Sequence, residues 1–139
     1  MRRSWYSLNQ AFRRRISHLG ITPNHYTILR WLSEAKSVGL TQRQIADLMA
    51  SDPNTITSIL NRMEAKNLIR RTPHAQDGRA HQIVIRPKGK DAFRKALPLA
   101  QELQNQIMTC LPKSERQTFL EQLSIVADAC MSVLQTDHD

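Results

Sequence analysis

The chain has few of the residues that mark secreted, metal-binding or membrane proteins, since its 139 residues include only two cysteines and four glycines. Cys110 and Cys130 stand far apart, without a CxxC pair or a histidine at ligand spacing, which argues against a disulfide scaffold and a zinc site. No apolar run approaches the roughly 18 residues of a membrane span, and the N-terminus lacks the apolar core of a signal peptide. We therefore expect a cytoplasmic protein that has no membrane partner.

The common signatures of catalysis are missing as well. The sequence contains no glycine-rich phosphate loop, no GxSxG, no HExxH and no convincing pair of carboxylates. Its five histidines are scattered without the spacing of paired ligands. The sequence therefore predicts a protein that is not an enzyme and that carries no metal or other cofactor.

Positive charge is abundant and unevenly distributed, because 20 Lys and Arg face 12 Asp and Glu, for a formal net charge of +8. Residues 1–100 hold 18 of the basic and 6 of the acidic residues, a balance of +12, whereas the remaining residues hold 2 and 6, a balance of −4. A basic surface favours polyanions, since each phosphate that Lys or Arg neutralises releases condensed counterions. A basic face that is merely solvated is the alternative, and motifs must decide between the two.

The periodicity of apolar residues predicts a mainly α fold with a small β-hairpin (α+β), in a single domain over 1–139. Helices are expected over 5–19, from Pro23, over 42–49 and 53–66, from Pro87 with a kink at Pro98, and beyond Pro112. The β-prone runs 68–72 and 81–85 flank polar turn residues and predict the hairpin. Residues 38–40 could add a short strand.

Two short capped helices separated by a tight turn predict a helix-turn-helix, whose second helix can enter the major groove of DNA. Thr41 to Gln44 form a capping-box pattern, TQRQ, and Asp52 caps the next helix ahead of Pro53. In that helix, burial of positions 56, 60 and 63 leaves a polar outward face: Asn54, Thr55, Thr57, Ser58, Asn61 and Arg62. Asparagine can pair with adenine and threonine methyls can touch thymine, although a polar helix face is more often only solvated.

Arginines 70, 71, 79 and 86 cluster around the predicted hairpin. Arg79 lies at or near its tip, where the side chain could reach a narrow minor groove, and Asp77 could orient the guanidinium. Alternatively, Asp77 and Gly78 only form the turn and Arg79 is solvated. Beside a helix-turn-helix we favour the DNA interpretation, in which phosphates are held by Thr41, Gln42, Arg43 and Arg71.

The stretches DPNTITSILNRMEAKNLIRR and DGRAHQIVIRPKG resemble the MarR family of winged helix-turn-helix transcriptional regulators, and the resemblance spans nearly the whole chain. The D-x-R wing motif of that family corresponds to Asp77 and Arg79, and its Pro-Lys-Gly helix entry to residues 87–89. Three positions depart from the family pattern. Asn67 stands where glycine is usual, Arg86 where a capping threonine is usual, and Ser58 where a longer basic residue is frequent.

The resemblance implies a homodimeric regulator, most simply a repressor, that binds a pseudo-palindromic operator in double-stranded DNA and is released by a small molecule or another signal. The winged helix-turn-helix lobe would span 22–89, flanked by dimerisation helices in 1–21 and 90–139. The apolar stripes of the terminal helices support a dimer independently, because a monomer would struggle to cover them.

The signal to which such a regulator responds is left open by the sequence. Similar proteins often bind small aromatic or phenolic anions, and the candidate lining residues are Phe12, Arg15, Trp31 and Phe93, although aromatics at helical spacing are more often core. Cys110 and Cys130 lie on apolar stripes, where a thiol is usually an inert small hydrophobe, but a redox-sensing regulator is one alternative. Another is a winged-helix adaptor that binds proteins and no DNA.

Overall fold

The computed structural model of the chain describes residues 1–73, 76 and 81–136. Helices and strands follow one another as α1 (Arg2–Ile16), α2 (Pro23–Ala35), β1 (Leu40–Thr41), α3 (Gln42–Met49), α4 (Pro53–Ala65), β2 (Ile69–Pro73), β3 (His81–Ile85), α5 (Pro87–Met108) and α6 (Arg116–Thr136). Short 3-10 turns follow α1 at Ser17–Leu19 and precede α6 at Lys113–Glu115. The predicted mainly α fold with a small β-hairpin is confirmed.

The three strands form one antiparallel sheet in which β3 lies between β1 and β2. The predicted hairpin strands are confirmed, since β2 pairs with β3 from Ile69 opposite Ile85 to Pro73 opposite His81. The short strand expected at 38–40 is shifted to Leu40–Thr41. Gly39 explains the shift: its φ is +70°, and a Cβ there would collide with the carbonyl oxygen of Ile83, so only glycine allows this close approach.

Local cap chemistry sets the beginnings of the helices, as the sequence predicted. Thr22 caps α2 by accepting from the backbone N–H of His25, and Pro23 occupies the first turn, where its missing N–H costs little. Thr41 and Gln44 form the predicted capping box of α3, with both bonds present. Asn67 follows α4 with φ +59°, the left-handed conformation that asparagine tolerates better than most residues.

One hydrophobic core holds the first compact unit, Met1–Gln101, together. Its fully buried side chains come from α1, α2, α3, α4 and the sheet: Ile16, Ile28, Leu29, Leu32, Ile45, Ile56, Leu60, Met63, Ile69 and Ile83. Burying a side chain of this size contributes roughly 1.5–3 kcal/mol relative to leaving it in water. The positions of α3 and α4 are therefore fixed by the same core that carries the sheet.

The second compact unit, Glu102–Asp139, begins inside α5, which stays helical through Pro98. The first turns of α5 belong to the first unit because Ala92 and Ala96 are buried in its core. None of the α6 residues is buried. In the described part of the chain, no helix is long and apolar enough to cross a membrane.

Candidate nucleic-acid interface

A tight turn joins α3 to α4 and sets the two helices in the helix-turn-helix arrangement. Ala50 adopts the left-handed conformation with φ +46°, and its N–H donates to the carbonyl oxygen of Asp47. The N–H of Ser51 donates to the carbonyl oxygen of Ala46 at 3.1 Å. These bonds satisfy carbonyls that the end of α3 would otherwise leave unpaired.

The outward face of α4 consists of the polar residues that the sequence singled out. Ile56, Leu60 and Met63 are fully buried, which confirms the predicted inward stripe. The predicted outward residues are all exposed: Asn54, Thr55, Thr57, Ser58, Asn61 and Arg62. With 3.6 residues per turn, Asn54, Ser58 and Asn61 lie near the centre of this face, while Thr55 and Thr57 lie on opposite flanks.

Asp52 caps α4 through Thr55. Its Oδ1 accepts from the backbone N–H of Thr55 at 2.9 Å, and its Oδ2 accepts from the Thr55 hydroxyl. The hydrogen bond from that hydroxyl, followed by the backbone bond from Thr55, lowers the pKa of Asp52. The carboxylate is therefore ionised at the N-terminus of α4, where a negative charge complements the helix dipole.

Gln42 connects α3 to α4 through a contact that the sequence did not suggest. Its Nε2 donates to Thr57 Oγ1 at 2.6 Å, and the same hydroxyl donates to the carbonyl oxygen of Pro53 at 2.8 Å. Gln42 was predicted to hold a phosphate, whereas here its amide binds the neighbouring helix. The hydroxyl of Thr41 is likewise used in its own capping box, and Arg43 is exposed on α3.

Arg71, another predicted phosphate ligand, is tied to the end of α4. Its Nη1 lies 3.3 Å from Glu64 Oε1, and its backbone N–H donates to Glu64 Oε2 at 3.1 Å. Only 18% of the Arg71 side chain is exposed, so its guanidinium faces the protein more than the solvent. Sequence reasoning missed Glu64; the signal was an acidic residue seven positions before an arginine, across the turn at Asn67.

Two of the three departures from the family pattern contact each other. Arg86 Nη1 donates to Asn67 Oδ1 at 3.3 Å, and the backbone N–H of Arg86 donates to the carbonyl oxygen of Leu68 at 3.0 Å. Gly89 closes the same junction, because a Cβ there would collide with that carbonyl oxygen. The turn after α4 and the turn before α5 are thus joined at the base of the hairpin.

The C-terminal end of α4 packs near the start of α2. Lys66 Nζ donates to the carbonyl oxygen of Gly20 at 2.7 Å. His25 is only 4% exposed, and its Nδ1 accepts from the backbone N–H of Thr22 at 3.3 Å. Burial, and then the positive charges of Lys66 and Arg62, lower the pKa of His25 to about 4. The imidazole is therefore neutral at physiological pH.

The wing residues Asp77 and Arg79 lie outside the described residues, so their predicted roles stay predictions. The described strands bring residues 73 and 81 opposite each other as their last described pair. Arg70 is exposed on β2.

The candidate effector residues are divided between two surroundings. Phe12 and Phe93 both contact Tyr26, with ring centroids 5.0 Å and 5.5 Å apart, and both pack against the core of the first unit. Tyr26 is 9% exposed, and burial raises the pKa of its hydroxyl. Arg15 and Trp31 are half-buried on α1 and α2. The ring at the centre of this cluster is Tyr26, which is not among the candidate lining residues predicted from the sequence.

Both cysteine thiols are free and exposed, Cys110 just after α5 and Cys130 on α6. The large apolar residues of α6 near Cys130 are exposed as well, whereas Leu103 in α5 is buried. The single chain therefore buries neither thiol. Among the described residues, no group of three His, Cys, Asp or Glu lies close enough together to hold a metal ion.

Two capped helices packed beside a three-stranded sheet define a winged helix-turn-helix protein. Residues 19–80, which span this arrangement from the turn before α2 into the hairpin, match the family model described as MarR family. The resemblance to the MarR family that the sequence indicated is confirmed over these residues. Because its relatives are transcriptional regulators, the prediction that the chain is not an enzyme is confirmed as well.

Individual relatives are identical to this chain at about a quarter of the aligned residues. TtmR, a regulator of Methylorubrum extorquens, is 28% identical over 123 residues, which cover 88% of this chain and 61% of TtmR. MdtR, a transcriptional repressor of Bacillus subtilis, is 27% identical over 96 residues, which cover 69% of this chain and 61% of MdtR. The chain thus spans less than two thirds of either relative.

A solved structure extends the similarity to nearly the whole chain. The M. tuberculosis transcriptional regulator MOSR, crystallised in complex with DNA, is 26% identical and superposes with a TM-score of 0.73. The match covers 93% of each chain.

Proposed function

We propose that the chain is a sequence-specific regulator of transcription that binds double-stranded DNA, with α4 as its recognition helix in the major groove. The observation that carries this proposal is the face of α4, where six exposed polar side chains stand opposite three fully buried apolar ones. Short polar side chains let a helix approach base edges closely, and the core fixes that helix relative to the sheet. The DNA complex of MOSR, which shares 26% of its residues, supports the same partner for this chain.

Within this proposal, the contacts are divided by position. Asn54, Ser58 and Asn61 lie near the centre of the face and meet base edges, with Arg62 beside them. Arg43 is exposed on α3 and is the strongest candidate for a phosphate contact there. Arg79 would enter the adjacent minor groove and Asp77 would orient it.

The acting species in this proposal is a homodimer. Exposed apolar residues on α1, including Trp5 and Leu8, and on α6, including Phe119 and Leu123, need a cover that the single chain lacks in the described structure. A second copy would supply it and would present a second α4 at a pseudo-palindromic operator, with half-sites about one helical turn apart. The simplest outcome is repression by blocking a promoter, as the name of the relative MdtR supports. Such a regulator works in the cytoplasm, where the bacterial chromosome lies.

A small aromatic effector is part of this proposal and would relieve repression. The aromatic cluster of Phe12, Tyr26 and Phe93 supports it, since three rings from three helices meet there. Arg15 and Trp31 complete the proposed set, with Arg15 as the partner of an anionic group.

The salt dependence of binding tests the proposal. The dissociation constant for a duplex of random sequence should rise linearly with salt on logarithmic axes, with a slope of about 0.9 per neutralised phosphate. A protein that bound no duplex even at low salt would contradict DNA binding and favour a protein-binding adaptor.

A further inference from the structure

The two threonines of the α4 face donate their hydroxyl protons to acceptors within the protein. The Thr55 hydroxyl donates to the Asp52 carboxylate, and the Thr57 hydroxyl donates to the carbonyl oxygen of Pro53 at 2.8 Å. A hydroxyl has one proton to donate and two lone pairs that accept. While these bonds last, neither threonine can donate to a base.

Thr57 is restricted further, because it also accepts from Gln42 Nε2 at 2.6 Å. One lone pair and the γ-methyl group are all that its side chain still offers. In the major groove, purine N7, guanine O6 and thymine O4 are acceptors that require a donor, so Thr57 cannot bind them. The C5-methyl group of thymine requires an apolar contact, which a threonine methyl supplies.

We infer that Thr55 and Thr57 recognise the 5-methyl groups of pyrimidines through their own methyl groups, and that Gln42 is a positioning residue for Thr57. The inference rests on the proposed function, because it assumes that α4 enters the major groove. Since the two threonines lie on opposite flanks of the helix face, they would meet different base pairs. Donation of hydrogen bonds to bases is then left to the central residues, Asn54, Ser58 and Asn61.

Replacing thymine by uracil removes only the methyl group and tests the inference directly. The full chain is first given a random pool of duplexes, and the preferred duplex is then remade with each dT of one half-site changed to dU in turn. A buried methyl contributes enough that its loss should weaken binding about three- to fivefold at the positions that the threonines contact. The ratio of the two dissociation constants is measured with one preparation, so it does not depend on the folded fraction.

Variants then assign each position to a residue. Thr57→Ser keeps the hydroxyl and its bonds but lacks the methyl, so it should bind the dT and dU duplexes equally at one position. Thr57→Val keeps the methyl and should retain the discrimination. Gln42→Ala should reduce the discrimination at that same position and leave the position assigned by Thr55→Ser unchanged, which a general loosening of the fold would not do.

Thr27→Ser is a matched control, because Thr27 in α2 also donates to the carbonyl oxygen of a proline four residues earlier, Pro23, at 3.0 Å. It loses a methyl in the same local setting but away from α4, and should keep the full dT preference. If the wild type binds the selected duplex but tolerates dU at every position, the inference is overturned and the proposed function stands. If Thr57→Ser discriminates like the wild type, the assignment to Thr57 is overturned. If no duplex is bound at all, the proposed function itself fails.

Discussion

Helices α4 and α6 expose opposite kinds of residue. α4 places Ile56, Leu60 and Met63 in the core with no exposed area and turns polar side chains outward. α6 buries nothing within the single chain, and six of its large apolar residues are 42% to 67% exposed: Phe119, Leu123, Ile125, Val126, Val133 and Leu134. A polar, positively flanked face suits a charged partner in water, whereas an exposed apolar face suits another protein surface.

The two helices therefore suit two different partners of the proposed function, which are DNA for α4 and a second copy of the chain for α6. The core of the first unit already holds α4, so its outward face is available for DNA. In the proposed dimer, a second copy of the chain would bury the apolar face of α6. Changes on α6 should therefore act on assembly first, and changes on the outward face of α4 should act on sequence preference.

The largest expected effect comes from a charge on the apolar face of α6. Leu123→Glu would bury an unpaired carboxylate in the proposed dimer, at a cost of about 3–5 kcal/mol for each copy. We expect sedimentation to show monomers at concentrations where the wild type is dimeric. Gln122→Glu adds the same charge at the neighbouring exposed position and should leave the dimer intact. If both variants form dimers of normal strength, the proposal that α6 lies in the interface is wrong.

The next largest effect should be a loss of folding stability, caused by truncation of a core residue in α4. Leu60→Ala removes a fully buried side chain, and such substitutions cost about 2–5 kcal/mol because a cavity remains. Denaturant unfolding at a fixed protein concentration measures the loss. Asn61→Ala, at the adjacent exposed position, should unfold like the wild type and instead alter the selected sequence. A normal unfolding midpoint for Leu60→Ala would contradict the burial of this face.

Acid should destabilise the first unit through His25. Its pKa is lowered to about 4 in the folded chain, so the unfolded chain binds the proton first as pH falls. The contribution is complete above pH 6.5 and is lost as pH falls toward 4, by up to about 3 kcal/mol. His25→Gln should flatten the unfolding free energy between those pH values. An unchanged pH profile in the variant would show that another group titrates.

The smallest expected effect should distinguish Arg43 from Arg71, which the sequence predicted alike to be phosphate ligands. Arg43→Ala should reduce the salt slope of DNA binding by about one, as expected for the loss of one phosphate contact. Arg71→Ala should leave that slope unchanged, because Arg71 is paired with Glu64, and should cost at most about 1 kcal/mol of stability. Equal changes in slope for both variants would return Arg71 to the phosphate-binding set.

The sequence predicted the parts of the fold that depend on local chemistry. The caps at Thr22, Thr41 and Asp52 were predictable because the cap and the N3 residue lie within one helical turn, and a proline follows the cap in α2 and α4. The inward stripe of α4 follows from periodicity alone. The strand at Leu40–Thr41 was displaced from its expected position because the sheet, through the close approach of Gly39 to Ile83, decides where pairing begins.

Contacts between elements were not predictable, and they change the interpretation of individual side chains. Gln42 and Thr57 are 15 residues apart, and Asn67 and Arg86 are 19 apart, so their bonds depend on how helices and hairpin pack. In sequence, Asn67 and Arg86 are two separate departures from the family pattern, yet in the structure they form one hydrogen-bonded pair. Both cysteines were expected to be inert on apolar stripes, and both thiols prove to be exposed in the single chain.

Selection of bound sequences from a random duplex pool tests the central claim most directly. If the outward face of α4 reads DNA, the wild-type chain should enrich a pseudo-palindrome, and Asn54→Ala should bind while enriching a different base in each half-site. Enrichment of the same sequence by both proteins, or of no sequence by the wild type, would contradict that claim.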